Sequence, residues 1–296
     1  MGLKNTGNKR QVTGRSTPPC HLLLAGYLNV WKADKVSAKK KPVMVYIHGG
    51  GFVNGGTADP MFDCHNLVKE NPDIVVVTVA YRLGIFGFFH ISHLPDGGDY
   101  PDTQNLGTMD QMMALKWVHE NIKGFGGDPD NVTIFGESAG AASCTLLPLV
   151  KGSHQYIKRL IAESGSPTIT ISTEEALECT NEIMNTLGCK TVAELQKVDV
   201  EQLLQASGAL GLRMAPERDG NYLPKDLYGA YADGTAKDVE ILLGCNKDEA
   251  NWLVHFSGVD GFKMWAADRK AWKIPKLPDQ EKKLIESFSA VYEVRT

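Results

Sequence analysis

The chain of 296 residues has no excess of basic charge: 31 Lys and Arg stand against 35 Asp and Glu, for a net charge of −4 and a pI near 6.1. A chain so balanced has no electrostatic footprint for nucleic acid, and none is expected as a partner. It also has no apolar run near the roughly 20 residues that span a bilayer. The short apolar patch from His21 to Leu28 lacks the length and the cleavage site of a secretory leader. No membrane partner and a cytoplasmic location are therefore expected. The six cysteines (Cys20, Cys64, Cys144, Cys179, Cys189, Cys245) form no Cys-x-x-Cys pair, which argues against zinc or a dithiol redox centre. Cys179 and Cys189 flank a predicted helix and could pair, although reduced thiols are the expectation inside a cell. There is no internal repeat and no low-complexity tract. No cofactor and no metal are expected.

What is present is ordinary for a soluble globular chain: 43% hydrophobic and 22% charged residues. The length suits one large α/β domain or two smaller ones. Residues 1–25 are polar, basic and then briefly apolar, with no clear period, and are expected to be poorly ordered. β-branched runs predict buried strands over Pro42–Ile47 and Ile74–Ala80. Shorter strands are predicted at Tyr27–Trp31, Val132–Phe135, Arg159–Ala162 and Val239–Leu243. Apolar residues at helical spacing predict a helix over Leu106–Ile122, stopped by Gly124, Gly126, Gly127 and Pro129. Further helices are predicted over Ser138–Leu149, Thr173–Leu187, Val192–Ser207 and near Asp279–Ala290. Strands that alternate with helices imply a mostly parallel sheet covered on both faces.

Chemistry concentrates in two motifs. Gly136-Glu137-Ser138-Ala139-Gly140 follows the strand-like run Val132–Phe135 and precedes a helix. A G-x-S-x-G there demands a sharp strand-to-helix turn that pushes the Ser138 hydroxyl outward. The following helix aims its first N–H groups at whatever Ser138 attacks. The blander reading is that Ser138 is a helix N-cap. The second motif, His48-Gly49-Gly50-Gly51-Phe52, follows the run Val43–Ile47. Its glycines bare N–H groups that can donate to a developing oxyanion. A flexible Gly-rich turn or a phosphate loop is the alternative, but no Gly-Lys-Ser/Thr follows. A hydroxyl nucleophile needs a base, usually His, and a carboxylate to orient that base. Glu249, in Gly244-Cys245-Asn246-Lys247-Asp248-Glu249 after a strand, is a candidate carboxylate, with Asp248 beside it as the alternative.

At these residues the sequence resembles the type-B carboxylesterases, the family that includes the cholinesterases. The likeness runs from about Tyr27 to Ala290. It includes Tyr27-Leu28-Asn29-Val30-Trp31, the HGGGF loop, Tyr81-Arg82-Leu83-Gly84 and Phe125-Gly126-Gly127-Asp128-Pro129. It continues through Val132–Gly140, Asp219-Gly220 and Asn246-Lys247-Asp248-Glu249, and looks closest to bacterial members. The resemblance implies an α/β-hydrolase fold over residues 26–296, with parts of it missing at both ends. It implies Ser138 as nucleophile, Glu249 as triad acid, and the N–H groups of Gly50, Gly51 and Ala139 as the oxyanion hole. It implies a small carboxylic ester as substrate.

Other residues have quieter readings. Arg82 is expected to hold loops together by ion pairing. Asp128-Pro129 and Asp219-Gly220 read as turns. Glu137 could tune local charge or accept a structural hydrogen bond. Ser164 and Ser166 lack the flanking glycines of an elbow and read as structural.

The likeness breaks at both ends. The family's acidic Glu-Asp-Cys-Leu stretch is replaced by Leu23, Leu24, Ala25 and Gly26. The family's catalytic His lies well downstream of the acid, in a Gly-x-x-His-x-x-Glu context. Here His255 is the sole His after Glu249, and its apolar setting does not match. His48 belongs to the glycine loop. His21, His65, His90, His93, His119 and His154 match no catalytic position. The expectation is a serine ester hydrolase truncated at its C-terminus, without its catalytic His. The alternatives are a non-catalytic binding protein on the same fold, or an inactive fragment.

Overall fold

The computed structural model describes residues 2–6, 9–13, 26–33, 39–247 and 249. The chain divides between Cys245 and Asn246 into two units. The first unit contains one eight-stranded sheet in the order β1-β2-β3-β5-β4-β6-β7-β8. In chain order these are β1 (Gly2–Thr6), β2 (Lys9–Thr13), β3 (Tyr27–Lys32), β4 (Lys41–Ile47), β5 (Val75–Val79), β6 (Gly127–Glu137), β7 (Arg159–Glu163) and β8 (Glu240–Gly244). The helices are α1 (His65–Glu70), α2 (Leu106–Asn121), α3 (Ala139–Leu146), α4 (Thr173–Leu187), α5 (Val192–Leu195), α6 (Val200–Gly208) and α7 (Leu227–Ala232). From β5 to β8 across the sheet the strands run parallel, and β1, β2 and β3 add an antiparallel flank. Among the described residues no helix is long and apolar enough to cross a membrane.

The centre of the sheet follows from its sequence. Every residue of Val75-Val76-Val77-Thr78-Val79 is buried, as a strand covered on both faces requires. Successive side chains point to opposite faces. Val75, Val77 and Val79 join Val43, Val45, Ile134 and the α2 residues Leu115 and Val118 in the main core. Val76 faces the other way, onto Val68 of α1 and Trp31. The two helices therefore cover opposite faces. Helix α3 is buried at all eight positions and packs on β6 and β7. A further apolar cluster joins Ile85 and Phe89 to Cys179, Ile183 and Met184 of α4 and to Leu195, Ala206 and Met214.

Helix α4 has the bounds its sequence predicts. Ser172 and Glu175 form a reciprocal capping box, and Gly188 ends the helix at φ 68°. The single helix predicted over 192–207 is instead two. Asp199 takes an extended conformation and accepts from the Glu201 N–H at 2.8 Å, so it starts α6 rather than continuing α5. Strand β6 is longer than predicted, because Gly127–Asn131 extends it past a bulge opposite Lys41 and Val43. Residues 2–6 and 9–13 pair as antiparallel strands where the polar sequence shows no period. The rest of that segment lies outside the described residues, as do the helix predicted near 279–290, His255 and Asp248. Cys179 lies inside α4 rather than beside it, and Cys179 and Cys189 are both free thiols.

Ile134 tests this core directly. It is fully buried, with Val45 beside it on β4 and Leu160 on β7. Ile134→Ala should destabilise the fold by about 2–5 kcal/mol, the usual cost of such a cavity. Urea titration should show a lower midpoint with an unchanged slope.

Candidate active site

Ser138 stands between β6 and α3 with φ 57° and ψ −119°. A non-glycine residue rarely adopts this backbone, and it persists only where its surroundings enforce it. Here they do. The Ser138 N–H donates to the Glu163 carbonyl of β7 at 2.9 Å, and the Ser138 carbonyl accepts from Ala142 at 2.9 Å. The flanking glycines are explained by crowding. A Cβ at Gly136 would lie 2.5 Å from the Ile47 carbonyl oxygen. A Cβ at Gly140 would collide with the same oxygen, and one at Gly165 with the carbonyl of Ser138. The Ser138 side chain makes no capping bond to α3, so the helix-cap reading does not describe it.

The glycine loop begins against this elbow. A Cβ at Gly49 would lie 2.7 Å from the Glu137 carbonyl and 3.3 Å from Ser138 Cβ. Gly50 and Gly51 have φ 107° and 63°, open to residues without a Cβ. The Gly50 carbonyl closes the turn by accepting from Val53 and Asn54 at 3.1 and 3.0 Å. Among the described residues, the N–H groups of Gly50, Gly51 and Ala139 donate to no hydrogen bond. His48 braces the loop. It is 1% exposed, its Nδ1 lies 2.8 Å from the Gly49 carbonyl, and its ring stacks on Tyr81 at 4.4 Å. The Tyr81 hydroxyl donates to the His48 carbonyl at 2.8 Å. Burial lowers the His48 pKa below its ordinary value and keeps the ring neutral, with the Gly49 contact opposing this more weakly.

The other candidates have partners of their own. Arg82 donates to both carboxylate oxygens of Asp110, at 2.8 and 2.7 Å, tying the loop after β5 to α2 as an ion pair. Asp128 and Asp219 accept from backbone N–H groups of the following residues, as turn residues do. Glu137 lies beside Glu163 in the strand register. Tyr46 has its pKa pushed up to about 12, chiefly by burial and further by these two carboxylates. Glu249 belongs to the second unit, where its Oε1 accepts from the Asn246 N–H at 2.6 Å. Within the first unit the structure therefore brings together Ser138 and the loop that carries Gly50 and Gly51.

Two features escaped the sequence. Ser164, at the end of β7, also has positive φ, at 56°, and its N–H donates to Gly244 on β8 at 2.7 Å. The Ser-Gly pair at 164–165 was the available signal. There is also a cavity of about 660 Å³, walled by His48, Val53, Asn54, Ile85, Leu204 and Met214 among others. It runs from the glycine loop to α6, and Ser138 is not part of its wall.

Comparison with known proteins places this geometry. The profile of the carboxylesterase family matches residues 26–287. The para-nitrobenzyl esterase of Bacillus subtilis is 39% identical over 234 residues, covering 75% of this chain and 46% of that protein. Cholinesterase 1 of Branchiostoma lanceolatum is 36% identical over 258 residues, covering 80% of this chain and 70% of that one. The Geobacillus stearothermophilus carboxylesterase EST55 superposes with a TM-score of 0.76 at 35% identity, over 87% of this chain and 57% of that structure. The chain spans about half the length of the Bacillus relative.

Two measurements probe this arrangement. Gly140→Ala would force a methyl into the Ile47 carbonyl and should cost about 1–3 kcal/mol by overpacking. Gly56→Ala, which meets nothing within 4 Å, should change stability by less than about 0.5 kcal/mol. His48 should make stability pH-dependent. Its folded pKa is depressed, so the unfolded chain takes up the proton first. That contribution is complete above the ordinary value of 6.5 and is lost as pH falls below it. Urea midpoints at about pH 7 and about pH 5 should differ more for the unaltered chain than for His48→Gln.

Proposed function

The chain belongs to the carboxylesterase family, and from that membership we propose that it carries the nucleophile and oxyanion hole of an ester hydrolase acting on small carboxylic esters. Ser138 is the nucleophile. Its Oγ attacks the ester carbonyl carbon, and the carbonyl oxygen takes the negative charge. The N–H groups of Gly50, Gly51 and Ala139 receive that oxyanion in the reading proposed here. The bond to the leaving oxygen breaks, that oxygen departs as the alcohol with the proton given up by Ser138, and water hydrolyses the acyl-Ser138 ester to the acid and free Ser138. Glu249 is proposed as the acid that orients the base. The base itself would be a His. Among the described residues no imidazole is hydrogen-bonded to the Ser138 hydroxyl. Where no His of the chain reaches Ser138, the chain is proposed to react slowly.

The observation that carries this reading is the backbone of Ser138 at φ 57° and ψ −119°. Strain of that kind clusters at functional sites, and here it falls on a serine inside a G-x-S-x-G motif. Nothing in a purely structural turn asks for serine there, since its hydroxyl caps no helix.

Mass spectrometry after incubation with p-nitrophenyl acetate provides the test. Without its base the enzyme should lose on the order of a millionfold in turnover, with a residue left by the oxyanion hole and binding. Deacylation slows with acylation, so acetyl should accumulate on the peptide that carries Ser138. Ser138→Ala should remove it from that peptide. A folded chain with no acetyl on Ser138 would count against the proposal. Fast turnover lost in Ser138→Ala would instead place a working base within this chain.

A further inference from the structure

Away from the elbow, the loop after β5 holds a second set of catalytic side-chain types. His90 Nδ1 lies 2.6 Å from Glu217 Oε2, and His90 Nε2 lies 2.9 Å from Ser92 Oγ. Glu217 is fully buried, and its other oxygen accepts from the Thr173 hydroxyl at 2.6 Å. A buried carboxylate must stay paired, so Nδ1 carries its proton toward Glu217. In the neutral ring this leaves a lone pair on Nε2, facing the Ser92 hydroxyl. Acid, imidazole and hydroxyl then stand in the relation that activates a serine, which is recognised by geometry rather than by chain order.

The set is held from several sides. Asn105 clasps the Glu217 backbone, donating to its carbonyl and accepting from its N–H, each at 3.0 Å. The Thr180 hydroxyl of α4 donates to the His90 carbonyl at 2.8 Å. The Glu217 carboxylate is satisfied by His90 and Thr173 alone, so Ser92 is not needed to bury it. The His90 side chain is 12% exposed and Ser92 is half-buried, so the pair is not sealed inside the core. Among the described residues the N–H groups of Ser92 and His93 donate to no hydrogen bond. In serine hydrolases an N–H beside the nucleophile is one of the donors to the oxyanion.

We propose that Ser92 is a second nucleophilic serine, with His90 as its base and Glu217 as the carboxylate that orients the base, and that it reacts with small activated carboxylic and phosphonic esters. With a carboxylic ester, the Ser92 O–H proton passes to His90 Nε2 as Oγ bonds to the carbonyl carbon. The bond to the leaving oxygen then breaks, and that oxygen takes the proton from Nε2 or leaves as the aryloxide. An acyl-Ser92 ester and one alcohol or phenol result. The site uses no residue of the elbow or the HGGGF loop, so it stands or falls independently of Ser138.

The test uses the full Ser138→Ala chain and a fluorophosphonate, which loses fluoride to a nucleophilic serine. Labelling of each serine is followed by peptide mass spectrometry. A positioned general base is worth roughly 100-fold or more. Ser92 should therefore label at least about 100-fold faster than the part-buried Ser166 in the same digest. Glu217→Gln and His90→Gln, checked for folding by circular dichroism, should each remove that advantage. The Ser166 comparison needs no change in the buried pair, so it holds even where those variants fail to fold. Ser92 labelling no faster than Ser166 would overturn the proposal. So would a rate unchanged in a folded His90→Gln chain.

Discussion

One carbonyl oxygen sets the geometry on which the rest of the first unit depends. Ile47 ends β4, and its oxygen sits where a side chain at Gly136 or Gly140 would have to go. Because both positions are bare, β6 can finish beside β4 and α3 can start without moving away from the sheet. The chain between them has no room for a relaxed turn, and Ser138 takes positive φ. The residue after Ile47 is His48, which opens the glycine loop. The same close approach thus fixes both the proposed nucleophile and the distance to its proposed oxyanion donors. Protein interiors are dense enough that a single methyl at such a contact must displace backbone.

The loops around this centre are held by polar groups rather than by apolar surface alone. Arg82 reaches from the loop after β5 to Asp110 on α2, and Glu217 reaches His90 across a sequence separation of 127 residues. Each pairing takes charge or polarity out of water, which is costly unless all partners are present. Both sets are densely bonded: Asp110 accepts three hydrogen bonds from Arg82, and Glu217 accepts from His90 and Thr173. His48 solves the same problem differently. It is buried without a carboxylate and stays neutral, stacked on Tyr81. The outcome is a rigid surround for residues that carry strain, the condition for keeping a serine in a poised conformation.

Much of this was legible from local pattern. β-branched runs marked β4 and β5: β5 is buried at every position, as a strand covered on both faces requires, whereas β4 is fully buried only at alternate positions. Apolar spacing marked α2, and a capping box with a closing glycine marked α4 to its ends. The two glycine motifs announced a sharp turn and an amide-rich loop, because only glycine admits the backbone approach that each requires. These are short-range facts, and neighbours in sequence are sufficient to state them.

Only the tertiary structure decided the rest. Residues 9–13 form a strand because β3 offers an edge to pair with, and residues 2–6 pair with that strand in turn, which no local period reports. Asp199 splits a helical run because its side chain captures a backbone N–H, a competition that apolar spacing does not register. Ser92, His90 and Glu217 carry no motif at all. His90 and Ser92 sit on one loop, and Glu217 reaches them only because α4 and the segment after Met214 fold back beside it. Sequence fixes what each residue can do locally, whereas a constellation of side chains depends on the path of the whole chain between them.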